Sequence, residues 1–211
     1  MSKSFPPVLF AAVLAMIAAP AAQAALVTTL YGTGLKADGT PQVGGGTDAH
    51  YVVVENGLAS ALVLSNPPST YFANDAKSKW IWQQADGLPV NVTRTFRTTF
   101  DLTGFDHTTA SIAGLWGTDH TGEDILINGK TTGIALPGVA PNNYRQLHAF
   151  SILNGFRAGI NTLDFRVRDT GAVSAFRAQL TGNAAVPEPG TLMLAALGLF
   201  AAAAGRARKP N

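Results

Sequence analysis

Between Leu26 and Leu180 apolar side chains recur at every second position, and no window of a dozen residues carries a helical period. A period of two places alternate side chains on opposite faces of a strand, so this pattern confines the chain to strands with one buried face. Asn161 to Arg168 is the clearest case: Leu163, Phe165 and Val167 point one way, Thr162, Asp164, Arg166 and Arg168 the other. Ser174, Phe176, Ala178 and Leu180 alternate with Arg177 and Gln179. Val92, Phe96, Phe100 and Leu102 share a face opposite Thr95, Arg97, Thr99 and Asp101, and His148, Phe150 and Ile152 repeat the pattern. One-sided strands must pair their apolar faces, which predicts an all-β body of two antiparallel sheets packed face to face.

The turn residues agree. Asn128-Gly129 follows the apolar run Ile125 to Ile127, and Asn-Gly is a strong hairpin signal because both central residues of a type I′ turn need positive φ. Gly159 suits a tight turn before the Asn161 strand, and the glycines between Gly32 and Thr47 mark a loop region.

The ends follow other rules. After Lys3, the run from Val8 to Ala19 is apolar, Pro20 stops it, and Ala22-Gln23-Ala24 supplies a small-x-small pattern before Ala25. These are the three parts of a secretory signal peptide, cut by signal peptidase between Ala24 and Ala25. Near the other end, Pro187-Glu188-Pro189 precedes an uncharged run from Leu192 to Ala204, then Arg206, Arg208 and Lys209. As a helix that run is about 20 Å long, short of the roughly 30 Å hydrocarbon core. The basic residues behind it fit a C-terminus held in the cytoplasm.

Charge then has to be located. The chain carries a formal +2 and a pI of about 9.0. Lys3, Arg206, Arg208 and Lys209 lie outside residues 25–186, leaving 11 of the 15 Lys and Arg there against 12 of the 13 Asp and Glu, since Glu188 is outside too. The body is therefore near −1 and carries no footprint for nucleic acid. With no cysteine, a disulfide framework, a thiolate zinc site and a cysteine nucleophile are excluded.

The Pro-Glu-Pro triplet, short apolar run and Arg/Lys tail resemble the PEP-CTERM sorting signal of Gram-negative bacteria. The resemblance covers Val186 to Lys209. It implies that exosortase, a membrane cysteine protease, recognises Pro187, Glu188 and Pro189 and cuts near them. It also implies transient residence in the inner membrane and an association with exopolysaccharide and biofilm. In the body, "DILINGK", an aromatic strand and "GINTLDFRV" resemble galactose-binding-like jelly rolls, where an Asn-Gly strand neighbours a Gly-x-Asn-x-Leu strand. "DAHY", "YFANDAKSKWI", "FRTTFDLTG" and "GLWGTDHTGEDILING" resemble a domain recurrent in other PEP-CTERM proteins. The expected organisation is a signal peptide at 1–24, a jelly-roll sandwich at 25–182, a linker with the triplet at 183–190, and a hydrophobic sorting helix with basic tail at 191–211.

Candidate chemistry is sparse. Asp119, Glu123 and Asp124 offer oxygens suited to a structural calcium ion, although the spacing is not an EF-hand loop. The competing reading is an acidic turn in which Gly122 supplies positive φ. Trp80 and Trp82 lie two apart and so share a strand face, which would suit stacking on a sugar ring, with Arg97 or Asp101 bonding hydroxyls. Burial in the core is the ordinary alternative for Trp80 and Trp116. His50, His107, His120 and His148 lack metal-ligand spacing, and there is no Gly-x-Ser-x-Gly elbow or His-Glu-x-x-His helix.

The function expected is therefore a non-enzymatic exported surface or matrix protein with a carbohydrate or adhesion role and no cofactor. A protein-interaction module is the alternative, and a glycan-active hydrolase the remotest. The expected partners are signal peptidase, exosortase and a polysaccharide.

Overall fold

The structure, a computed structural model, describes residues 23–136, 142–187 and 198. Apart from Gly198, the expected signal and sorting helices lie outside them, as do Ala22, Glu188 and Pro189. Eleven strands fold in chain order: β1 (Gln23–Leu26), β2 (Thr47–Val53), β3 (Ala59–Val63), β4 (Ile81–Trp82), β5 (Thr93–Asp101), β6 (Asp106–Thr118), β7 (Thr121–Ile127), β8 (Lys130–Thr131), β9 (His148–Ile152), β10 (Ile160–Arg168) and β11 (Phe176–Val186). The helical turns among the described residues are Val54–Asn56 and Asn142–Arg145.

All pairings are antiparallel, in the order β8-β7-β10-β5-β2-β3-β4-β11-β6-β9, with β1 on the free edge of β11. The short β3–β4 pairing, Leu62↔Trp82 and Val63↔Ile81, lets this sheet curl over into two facing layers. Aromatic rings mark where they meet. Phe165 of β10 lies 4.8 Å from Phe176 of β11, 5.8 Å from Trp116 of β6 and 5.9 Å from Phe150 of β9. Phe96 of β5 stacks on Phe176 at 5.0 Å. Offset and edge contacts at these separations add to what burial alone contributes. The body is thus all-β and sandwich-like, as the alternation requires.

Leu163, Phe165, Val167, Phe96, Phe100, Phe176 and Ala178 all lie in the core. Asn128 and Gly129 both have positive φ, 52° and 76°, and join β7 to β8 as a two-residue turn. Leu163 pairs with Ile127, so the Asn-Gly strand and the Gly-x-Asn-x-Leu strand are neighbours. Asn128 ties the turn to β10, with its Nδ2 donating to Asn161 Oδ1 and its Oδ1 accepting from Thr162 N.

Two expectations change. Gly122 does not supply a positive φ; His120 does, at 75°. Gly122 is needed because a Cβ there would collide with the Trp116 ring. Nor does a linker begin at Asn183: β11 runs on to Val186, paired by β1 on one side and by β6 as far as Ala185.

Candidate functional site

Trp80 and Trp82 do not form a sugar platform. Both are fully buried, Trp80 immediately before β4 and Trp82 within it, and each indole N–H is taken by a carbonyl, of Phe72 (2.8 Å) and Pro89 (3.1 Å) respectively. Arg97 and Asp101 lie on the opposite, outer face of the sandwich. Arg97 grips Asp164 of β10 through Nε and Nη2, both at 2.7 Å, and this fork raises the guanidinium's pKa further. Asp101 accepts the amide and hydroxyl of Thr103, which lowers its pKa. The four candidates therefore do not converge on a shared surface.

The three calcium candidates separate as well. Glu123 pairs with Arg166 at 2.8 Å, and Asp124 accepts the amide of Gly133 at 3.2 Å. Asp119 turns inward, where Tyr71 donates its hydroxyl to Oδ2 at 2.5 Å. The group that does assemble is Asp119, His120 and Asp169, whose ligating atoms all lie within 4.8 Å of one another. His120 Nδ1 stands 2.9 Å from Asp169 Oδ1 and 3.5 Å from Asp119 Oδ1. Asp169 was missed by the sequence reading, because nothing local links it to residue 119 or Tyr71.

The second oxygens of both carboxylates are also engaged. Asp169 Oδ2 accepts from the amides of Asn91 (2.8 Å) and Gly171 (3.2 Å). Burial raises the pKa of Asp119 despite the Tyr71 hydrogen bond, and it raises that of the Tyr71 hydroxyl well above its usual range. Asn143 donates to the carbonyls of His120 and Leu136. The cluster joins the segments around residues 71, 91, 120 and 170 at one end of the sandwich. Two carboxylates and an imidazole suit zinc or a divalent transition metal better than calcium, which takes six to eight oxygens.

Beside the cluster a cleft of about 380 Å³ is lined by Asn91, Val92, Thr93, Glu123, Arg168, Asp169 and Thr170. Arg168 and Thr170 are exposed at its rim.

At the far end of β11 the chain reaches the sorting triplet. Gln23, Ala24, Ala25 and Leu26 pair with Val186, Ala185, Ala184 and Asn183, and Pro187 follows, exposed. Ala24 and Ala25, expected to flank the leader cut, thus sit in β1.

The PEP-CTERM protein-sorting motif matches residues 185–209. The motif indicates an exported protein that is sorted by exosortase through the membrane. No curated protein and no solved structure matches the chain. Among the described residues, no helix is long and apolar enough to cross a membrane.

Proposed function

We propose that this chain is a non-enzymatic surface or extracellular-matrix protein, a jelly-roll module exported and then released from or fixed at the envelope by exosortase. The observation that carries the reading is the sorting motif at 185–209, which starts inside the last strand of a folded body. A sandwich whose buried carboxylates are locked to a histidine and to backbone amides supports a binding or structural role over hydrolysis. Replacing Pro187, Glu188 and Pro189 together with Ala is expected to abolish tail removal and surface display. Intact-mass measurement of the cell-associated protein checks this, and an unchanged mature mass would refute it.

Carbohydrate interaction remains the favoured role for the body, moved from the tryptophans to the cleft beside Asp169. Its lining of Asn91, Thr93, Glu123, Arg168 and Thr170 offers the amide, hydroxyl, carboxylate and guanidinium groups that bond sugar hydroxyls. A glycan array with the mature chain is expected to give signals that Arg168→Ala lowers at least tenfold. An absence of signal on neutral and acidic glycans would favour the protein-interaction role instead.

A further inference from the structure

We infer that removal of the leader unlocks the sorting segment: the cut between Ala24 and Ala25 takes away the strand residues that pair the first residues of the sorting motif. The inference rests on the export and sorting reading above. The register carries it. The motif begins at residue 185, and Ala185 and Val186 pair with Ala24 and Gln23. Those two partners are the residues that leave with the leader. Ala25 and Leu26 remain with the body, on Ala184 and Asn183, and Val27 N still donates to Gly182 O at 2.9 Å.

The first cut adds water across one amide. The hydroxyl goes to the Ala24 carbonyl to give a carboxylate, and Ala25 leaves as an ammonium. Gln23 and Ala24 are then no longer tethered to the body. Little else holds them there, since their side chains are exposed and the ladder consists of backbone bonds.

The other edge of β11 does not compensate. Its pairing with β6 is irregular between Asn183 and Ala185 and ends at Ala185↔Asp106, with Ala185 N donating to Thr109 Oγ1 at 2.8 Å. Among the described residues, Val186 has Gln23 as its one strand partner. Pro187 has no N–H with which to extend a ladder. A protein that takes an extended segment pairs with that segment's own backbone groups, which must be unoccupied. In the precursor Val186 is paired through Gln23; after the leader leaves, Val186 has no strand partner among the described residues. The second cut then has the open strand it needs: the sorting enzyme's thiol adds to a carbonyl near the triplet, the tail departs as an amine with a proton, and water or another amine takes the acyl group.

The test uses the full-length chain in a host with exosortase, following leader and tail by intact mass in a pulse-chase. Ala24→Leu places a bulky residue where the leader cut needs a small one, yet keeps the backbone of β1. Both cuts are expected to slow, tail removal by at least tenfold. Adding Gln23→Pro and Ala25→Pro keeps the leader attached but removes two strand N–H groups, and tail removal is expected to return to within about threefold of the parent. Rapid tail removal in Ala24→Leu would overturn the inference, as would slow removal in both variants, which would assign the delay to the leader's attachment itself. Tail removal from the parent that ignores the triple Ala replacement of the triplet would refute the sorting reading instead.

Discussion

Replacing Arg177 with Ala is expected to destabilise the mature body by about 2–4 kcal/mol, the cost of leaving buried acceptors unpaired and opening a void. The Arg177 side chain has no exposed surface. Its Nε donates to Ser78 Oγ at 2.7 Å, and Nη1 donates to the carbonyls of Phe72 (3.2 Å) and Ala73 (2.5 Å). Nη2 stands 2.9 Å from Asp75 Oδ2, and the Phe72 ring covers the guanidinium at 5.4 Å. One side chain of β11 thus holds the segment from Phe72 to Ser78 against the outer face of the sheet. Burial lowers its pKa, partly offset by Asp75. Truncation leaves the Ala73 carbonyl and the Ser78 hydroxyl without this donor, while the Phe72 carbonyl keeps the Trp80 indole N–H, and it opens a void the length of the side chain. Arg177→Lys restores the charge but not the planar fork, so it is expected to recover less than half of the loss. Urea unfolding of the exported chain checks both variants, and a change within about 0.5 kcal/mol for Arg177→Ala would refute the account.

Arg177 also shows where sequence reasoning stops. The alternation of Ser174, Phe176, Ala178 and Leu180 placed β11 and its core face correctly, because period two is a local property. The same alternation put Arg177 on a polar, outward face. It is outward from the core, but the segment after Tyr71 crosses above it and removes it from water. That contact joins residues about a hundred positions apart, and no local pattern encodes it. The sugar-stacking reading of Trp80 and Trp82 fails for a related reason, whereas burial, expected as the ordinary case for Trp80 and Trp116, is what the structure has. Two residues apart does mean one face, but β4 is only two residues long and the chain around it is wrapped, so both rings end up inside. The Asp119 cluster likewise needed Tyr71 and Asp169, each brought in by a different loop. The sorting tail was readable in full because its parts are contiguous and defined by residue type and order. Only its start, buried in the β1–β11 ladder, needed the structure.

Asp48 is expected to make the body more stable at pH 5 than at pH 7.5, by about 1–1.5 kcal/mol. Its carboxyl is buried at the start of β2, and burial pushes its pKa up to about 6 from 3.8. Three amides oppose that shift without cancelling it: Gly34 N donates to Oδ2 at 2.5 Å, while His50 N (2.7 Å) and Tyr51 N (3.1 Å) donate to Oδ1. The sign follows from proton binding. Between pH 3.8 and 6 the folded chain holds a proton that the unfolded chain releases, so lowering the pH through this window favours the folded state. Above pH 7 the ionised carboxylate costs about 3 kcal/mol relative to the acid plateau, the free-energy equivalent of that shift. Asp119, whose pKa burial also raises, adds to the trend in the same direction. The opposing groups act lower on the scale. Asp38, Asp75, Asp101 and Asp106 have lowered values, so the stability they contribute is lost only as the pH falls below about 4. The maximum is therefore expected between about pH 4 and 5. Asp48→Asn should flatten the slope between pH 5 and 7.5. Its absolute stability is the poorer readout, because Asn keeps an oxygen for His50 and Tyr51 but turns an N–H donor toward Gly34 N. Urea unfolding of parent and variant at both pH values tests this, and equal slopes in the two chains would show that Asp48 is not the titrating group.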